Sequence, residues 1–402
     1  MKKLILSLAL VGATTLAFGQ KKVLKEAEKG YKSGNYEDAL TAINAAATNP
    51  ETSGDPATFL LKAQIETKLF NADSSNTMET VELGAEALQT YNKAFEMAGS
   101  DKTSGVGEEV YEEEMQGVPD NLRPYSIITL KNLSFDKGIE RYNVEDLEMA
   151  YEFFNLAGEI DHTDSTIHYN AGFLANDLGK FEEAKKHFGY LLELPGYNKL
   201  NAYYFMVQIL STEEKNPEAA FELVSKAKEE YPTDKVLAEY EIQLLLQLNK
   251  MDEAMAQIKD ALANDPNNTG LLLRSGYLKE QAGDLDGALA DYKKSVEVDP
   301  NFFEGNYYTG ALLLEQATKM LNTLNDLSDA EWEKQSPVIG KKADENYTQA
   351  VKYFEKAVEI KPDNTDIMII LFQVHTRLKN TAEAEALNKK LTELLGANWQ
   401  EN

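Results

Sequence analysis

Two successive segments of the chain read MDEAMAQIKDALANDP (251–266) and LDGALADYKKSVEVDP (285–300), and their small, apolar and proline positions coincide. Ala254 recurs 34 residues later as Ala288, and the same frame places Ala220 34 residues earlier. Each of the three segments ends at a proline. A fixed period of this length indicates a repeat architecture, in which similar units stack on their neighbours.

The segment from Thr166 to Pro195 shows how one unit can fold. Gly172 precedes Ala184 by twelve residues, so two small residues can face each other where antiparallel helices approach closely. A glycine costs about 1 kcal/mol inside a helix, and its recurrence therefore implies a packing reason. Gly179 breaks the first helix, and Pro195 ends the second because proline cannot continue the hydrogen-bond ladder. Each unit is therefore predicted to be a helical hairpin.

This pattern of small residues, a helix break and a closing proline resembles the tetratricopeptide repeat (TPR), a helix–turn–helix unit. The resemblance covers nearly the whole chain after its first 19 residues, and it is strongest over 166–300 and 350–362. It implies an all-α fold, a right-handed superhelical solenoid of about nine hairpins without β-strands.

Changes in the spacing predict four segments. Residues 1–19 are a signal peptide, 20–120 are N-terminal repeats with insertions, 121–300 are regular repeats, and 301–402 are C-terminal repeats. Ala63 lies 24 residues before Ala87 instead of twelve, so 71–80 is read as an insertion. The same argument predicts a helical insertion at about 318–345, which contains Trp332. Residues 99–120 are rich in Gly and Glu and are predicted to form a loop, with the next helix starting near Asp120.

The N-terminus is typical of a bacterial secretory signal peptide. Met1-Lys2-Lys3 is a basic start, an uncharged run follows, and Ala17-Phe18-Gly19 is a small-x-small cleavage site before Gln20. The alternative is a membrane anchor, but the uncharged run is shorter than the ~20 residues that a spanning helix needs. The prediction is an exported protein without membrane insertion after cleavage, located in the periplasm or elsewhere in the cell envelope.

Composition restricts the possible partners and chemistry. The formal net charge is −27, which disfavours nucleic acid and anionic membranes because both require a cationic surface. The chain contains no Cys, so neither a disulfide nor a thiolate site is possible. Apolar residues make up 43% and charged residues 27%, a composition typical of a folded soluble chain.

Candidate metal and catalytic motifs have a competing explanation in every case. Asp161, His162, Asp164 and His168 could bind a metal, but aspartates between repeats more often cap helices. The sequence from Asp284 to Gly287 resembles part of a calcium loop and lacks its later ligands. The Glu-rich run over 108–114 could bind cations weakly or be a solvated segment. No phosphate loop or nucleophile elbow is present, and neither a cofactor nor a catalytic residue is predicted.

A partner-binding surface is predicted on the first helix of each hairpin, mainly one residue after and three before the packing glycine. No Lys/Arg/Asn clamp for a C-terminal carboxylate occurs at these positions, where Ile139 is one of the aliphatic residues. The candidates are aromatic, aliphatic or acidic: Phe135, Tyr169, Phe173, Asp177, Phe205, Ile209, Glu213, Tyr277 and Tyr307.

Two functional hypotheses follow. The resemblance implies a non-enzymatic scaffold that binds a partly apolar, neutral or basic peptide or protein on its inner surface. The alternative is a small-molecule binder or enzyme with a site in the 318–345 insertion. A deep pocket walled by that insertion favours the second, and an exposed extension of two helices favours the first.

Overall fold

The computed structural model describes residues 22–113 and 125–400, and the regular elements in these ranges are helices, with no strand among them. The predicted all-α hairpin fold is confirmed. Counted in chain order, the described residues form nine pairs of helices and one short extra helix. The predicted signal peptide and the glutamate at position 114 lie outside the described residues. No helix within those ranges combines the length and apolarity that a membrane crossing requires.

The chain divides into two compact units, Met1–Asn216 and Pro217–Asn402, here called unit 1 and unit 2. The four segments predicted from repeat spacing concern repeat regularity rather than compactness and stay predictions. Unit 1 begins with helical residues 22–33 (α1). It continues with α2 (Tyr36–Thr48), α3 (Pro56–Ala72), α4 (Met78–Met97), α5 (Gly105–Val110), α6 (Ile127–Asn143), α7 (Leu147–Ile160), α8 (Ser165–Asp177), α9 (Phe181–Glu193), α10 (Leu200–Gln208) and a π-helical turn (Ile209–Glu213).

Unit 2 contains the remaining helices, and each packs mainly on its neighbours in the chain. They are α11 (Pro217–Glu230), α12 (Lys235–Gln247), α13 (Met251–Asn264), α14 (Thr269–Gln281), α15 (Leu285–Val298), α16 (Phe303–Asn322), a 3₁₀ turn (Thr323–Asp326), α17 (Asp329–Ile360), α18 (Thr365–Arg377) and α19 (Thr381–Leu395).

The packing glycines make room for an aromatic ring, which differs from the small-on-small contact expected. A Cβ on Gly172 would lie 2.9 Å from the Phe188 ring, and one on Gly138 would lie 2.6 Å from the ring of Phe154. In each case the ring comes 16 residues after the glycine. The recurring unit is therefore a glycine on the first helix and a buried ring on the second.

Helix starts use the aspartates that were considered as metal ligands. Asp164 caps α8 by accepting hydrogen bonds from the backbone N–H groups of Thr166 and Ile167. Asp284 caps α15 through Gly287 at 3.0 Å. The capping explanation of Asp164 is confirmed, since this residue satisfies otherwise unpaired helix N–H groups.

The two insertions are absorbed mostly by longer helices. The residues inserted over 71–80 extend α3 to Ala72 and begin α4 at Met78. Lys137 fixes the short connection, since its Nζ donates to the Asp73 carbonyl at 2.7 Å and to Asn76 Oδ1 at 2.6 Å. The insertion at 318–345 extends α16 and α17 to 20 and 32 residues.

The predicted loop over 99–120 contains a helix, and the predicted start of the next helix is wrong. Helix α5 forms because Ser104 caps it and Val110 is fully buried in the core of unit 1. Helix α6 begins at Ile127 with Ser126 as its cap, whereas Asp120 lies outside the described residues.

Candidate functional site

Two adjoining hollows lie between α6 and α8 in unit 1, and they share Tyr142 and Phe173 in their lining. Ile139 and Tyr169 also line the first hollow, and Asp177 also lines the second. These five residues define what we call the α6–α8 groove. It is built because α6 and α8 are first helices of consecutive hairpins and present the same face.

Three large apolar side chains are exposed next to one another in the groove. Tyr142 is 47% exposed, Phe173 39% and Ile139 38%. Ile139 and Tyr142 lie one helical turn apart on α6, so they form one continuous apolar edge opposite Phe173. Contiguous exposed apolar side chains in a soluble protein mark interaction sites more often than scattered ones do.

Phe135 and Phe205 lie at the margin of the groove and are half-buried by packing. Phe205 stacks on Phe188, with ring centroids 4.9 Å apart, and meets Phe173 edge-on at 6.1 Å. Phe135 lies 5.3 Å from the Phe154 ring. Both residues therefore support the groove from below, and the packing role weighed for them accounts for most of their contacts.

Ile209 does not reach the surface. It is fully buried in the same core cluster as Ala202 and begins the π-helical turn. The spacing that selected it assumed a regular α-helix through this position, and a π turn departs from that periodicity. We therefore remove Ile209 from the predicted surface, while Glu213, at the end of the turn, is exposed.

The groove has an acidic edge. Glu145 and Asp177 line the second hollow, and neither hollow has a Lys or Arg among its described lining residues. The nearby Lys180 is engaged by Glu148 at 2.7 Å and by Glu152 at 3.0 Å. A basic group of a partner would therefore meet a favourable potential here.

Tyr142 is the groove residue that the sequence reasoning missed. Ile139 follows Gly138 at the same position where Phe173 follows Gly172, and Tyr142 lies one turn further. An exposed aromatic one turn from a predicted contact position was the available signal.

Two of the predicted surface residues, Tyr277 and Tyr307, belong to unit 2 and lie outside the groove. Tyr277 is exposed, and Tyr307 is half-buried against the Phe354 ring, with ring centroids 6.3 Å apart.

The predicted metal candidates do not come together as a ligand set. Asp161 accepts hydrogen bonds from Thr163 and, at 3.0 Å, from Lys131. Burial raises the pKa of this carboxyl, but the hydrogen bonds from Thr163 and Lys131 together outweigh burial and bring the pKa to about 2. His168 is buried with its Nδ1 3.0 Å from Nδ1 of His187. Within the described ranges, no group of three or more His, Asp or Glu residues is placed to hold a metal ion.

The insertion at 318–345 is an exposed extension of α16 and α17. Trp332 is 49% exposed and does not line the hollow on α17, which runs from Ser336 to Gln349. By the criterion set from the sequence, this arrangement favours the scaffold over a site walled by the insertion.

Two segments match sequence models described as tetratricopeptide repeat, residues 241–301 and 342–396. Over these two segments, which together make up less than a third of the chain, the sequence and the helical hairpins match the tetratricopeptide repeat. The matched segments cover five helices completely, α13, α14, α15, α18 and α19, and parts of their neighbours.

One curated relative and several solved structures of TPR proteins are similar to part of the chain. The BBSome complex member BBS4 of Bos taurus is 24% identical over 242 residues, which cover 59% of this chain and 46% of that protein. The chain thus spans less than half the length of this relative. The C-terminal part of a TPR repeat-containing protein from Cytophaga hutchinsonii is 14% identical, with a TM-score of 0.49, covering 66% of this chain and 97% of that one. A TPR repeats protein from Bacteroides fragilis is 21% identical, with a TM-score of 0.30, covering 61% and 98%.

Proposed function

We propose that this TPR protein is a non-enzymatic scaffold that holds a segment of a partner protein in the α6–α8 groove. TPR repeats in general indicate protein–protein interaction. The observation that carries the proposal is the cluster of exposed Ile139, Tyr142 and Phe173 around two hollows. Such a cluster offers apolar anchors that the fold itself does not bury.

The chemistry of the groove favours a partner segment with an aromatic or aliphatic anchor next to a basic residue. Burying one large apolar side chain contributes roughly 1.5–3 kcal/mol. Two or three such anchors support micromolar binding once the cost of association is subtracted. Glu145 and Asp177 at the groove edge would select the basic neighbour.

We also propose that the protein acts outside the cytoplasm, in the periplasm or elsewhere in the cell envelope. The basic Met1-Lys2-Lys3 start and the Ala17-Phe18-Gly19 cleavage site support this location. Sequencing the N-terminus of the protein recovered from the envelope should find Gln20, and finding Met1 there would contradict export.

The groove is tested with the double variant Tyr142→Ala/Phe173→Ala. The partner is first captured from the envelope fraction with the wild-type chain and identified by mass spectrometry, and its affinity is then measured by calorimetry. We expect the double variant to weaken binding by at least about tenfold, because both anchors lose their burial. Phe205 is left intact because its stacking on Phe188 makes it part of the fold.

The matched control is Trp332→Ala, which removes an aromatic of similar exposure from the α17 extension. It should leave the affinity unchanged, and all variants should retain the wild-type circular dichroism. Equal binding by the double variant and the wild type would place the binding surface elsewhere. Loss of binding in the Trp332 variant alone would point to the extension.

A further inference from the structure

Unit 2 carries a second surface cluster, in which tyrosines from three helices surround one carboxylate. Tyr277 and Glu280 lie on α14, Tyr292 on α15 and Tyr308 on α16. The Tyr292 hydroxyl donates to Glu280 Oε2 at 2.8 Å. The Tyr292 ring stacks on Tyr308 with centroids 5.6 Å apart. We call these four residues the Tyr–Glu280 site.

The Glu280 carboxylate is held in place but is not neutralised. Tyr292 is fully buried, so its hydroxyl fixes the carboxylate from the core side. The neighbouring Lys279 is engaged by Asp291 at 2.6 Å. Among the ion pairs of the described residues, none involves Glu280. A half-buried carboxylate without a cation keeps its attraction for one, since a lower local dielectric strengthens the field near it.

Two further tyrosines near this carboxylate are exposed to solvent. Tyr277 is 43% exposed and Tyr308 37%. Tyr277 lies one helical turn before Glu280 on α14. Tyr308 stacks on the Tyr292 ring, whose hydroxyl donates to Glu280, so the four side chains are neighbours. Tyr307 packs edge-on against Tyr308 at 5.3 Å and holds that ring in orientation. The negative face of a tyrosine ring attracts a cation within about 6 Å of its centre.

We propose that the Tyr–Glu280 site receives a lysine or arginine side chain of a partner protein. The charged head pairs with Glu280, and the aliphatic stem lies along Tyr277 and Tyr308. The four residues are in the other compact unit and recognise charge instead of an apolar anchor, so the site is independent of the α6–α8 groove.

The occupant is a protein side chain rather than a free small cation. The site is an exposed corner formed by Tyr277, Glu280 and Tyr308, and it does not enclose a ligand on all sides. Single cation–π contacts at exposed positions are weak. A side chain presented by a protein segment can add neighbouring contacts along α14 and α16, whereas a free cation cannot.

The test compares two peptides on the full chain labelled with 3-fluorotyrosine. One peptide carries a single lysine between alanine and glycine residues, and the other carries norleucine in its place. Fluorine resonances of Tyr277 and Tyr308 are assigned from Tyr277→Phe and Tyr308→Phe. We expect the lysine peptide to shift both resonances saturably and the norleucine peptide to shift neither.

Glu280→Gln is the decisive variant, because glutamine still accepts the hydrogen bond of Tyr292 while losing the charge. This variant should bind the lysine peptide about 5- to 10-fold more weakly than the wild type does. Glu383→Gln makes the same change in net charge at an exposed position on α19 and should have no effect. The groove variant Phe173→Ala should also leave this titration unchanged, so failure here is distinguishable from failure of the groove.

Three results would overturn the proposal. Equal shifts by the norleucine peptide would show that charge is not recognised. Equal weakening by Glu280→Gln and Glu383→Gln would show general attraction to an acidic chain. Binding of tetramethylammonium as strong as that of the lysine peptide, and equally dependent on Glu280, would make a small cation the occupant instead of a protein.

Discussion

At the scale of the residue, the repeat depends on a glycine whose missing side chain is replaced by a neighbour's ring. In unit 2, a Cβ on Gly276 would lie 2.6 Å from Cδ1 of Tyr292, and real Cβ contacts essentially never come this close. Tyr292 is fully buried and hydrogen-bonded through its hydroxyl. Its ring therefore cannot move aside without losing that bond, and the glycine is required by volume rather than by backbone conformation.

Gly276→Ala should destabilise unit 2 by roughly 1–3 kcal/mol through overpacking against Tyr292. Gly189→Ala is the matched control in α9, because a Cβ there meets nothing within 4 Å. That substitution should stabilise the protein by about 0.5–1 kcal/mol, the helix propensity difference. Urea unfolding of both variants measures these changes in the free energy of unfolding. An unchanged free energy of unfolding in Gly276→Ala would show that the Tyr292 ring can move aside.

The residue scale also shows what the sequence could and could not predict. Gly172 and Gly138 were identified as packing positions from their spacing, and Phe173 was placed on the surface by the same frame. The frame could not show that α10 passes into a π turn, and it therefore assigned Ile209 to the surface although this residue is buried. Hydrophobic periodicity assumes one helical geometry, so a local change in that geometry is invisible to it.

At the scale of the element, the α8–α9 hairpin brings two buried histidines into contact through their Nδ1 atoms. His168 Nδ1 and His187 Nδ1 are 3.0 Å apart, so a single proton lies between them. Both Nε2 atoms are buried without a hydrogen-bond partner in the described structure. Burial lowers the pKa of both residues, that of His187 to about 4.

The hairpin should consequently lose stability in mild acid. In the unfolded chain a histidine takes up a proton below its ordinary pKa of about 6.5, whereas folded His187 stays neutral until the pH approaches about 4. Asp161 and Asp164 near His168 and Glu159 near His187 oppose this loss, while Lys186 and His162 add to it. Between about pH 7.5 and 5 the free energy of unfolding should fall by roughly 2 kcal/mol for His187.

Urea unfolding at several pH values measures this loss. In the variant His168→Gln/His187→Gln, the free energy of unfolding should depend less on pH in that range, since neither position can then titrate. His162→Gln changes an exposed histidine and should leave most of the slope intact. An unchanged slope in the double variant would assign the acid sensitivity to other groups.

The insertions mark a second limit of the sequence at the scale of the element. Spacing located the extra residues at 71–80 and 318–345, but counting residues cannot decide whether they extend helices or form loops. The outcome depends on tertiary contacts such as that of Lys137 with Asn76, which lie 61 residues apart. Helix α5 was missed for the same reason, because Val110 is stabilised by a core formed from distant helices.

At the scale of the whole molecule, each unit has cores of its own. Unit 1 is built around rings such as Phe70 and Phe153, whose centroids are 6.2 Å apart. Unit 2 is built around Phe354 and its neighbours. The last hairpin of unit 2 is closed by Trp399, which packs edge-on against Phe372 at 5.1 Å and donates to Asn388. Stacked repeats draw most of their stability from adjacent hairpins, so cores confined to each unit imply that each can fold alone.

Separate expression of 20–216 and 217–402 tests this inference. Both fragments should give helical circular dichroism and cooperative urea transitions, because the cluster around Phe188 lies within 20–216 and the cluster around Ile258 lies within 217–402. The matched control divides the chain at Gly179 instead, which separates α8 from α9. This cut removes the Phe188 ring from the space beside Gly172 and exposes the core that contains Ala171 and Ala184. The control fragments should therefore lose helicity or aggregate. Unfolded fragments from the 216/217 division, alongside folded ones from the control, would show that stability depends on contacts running across the two units.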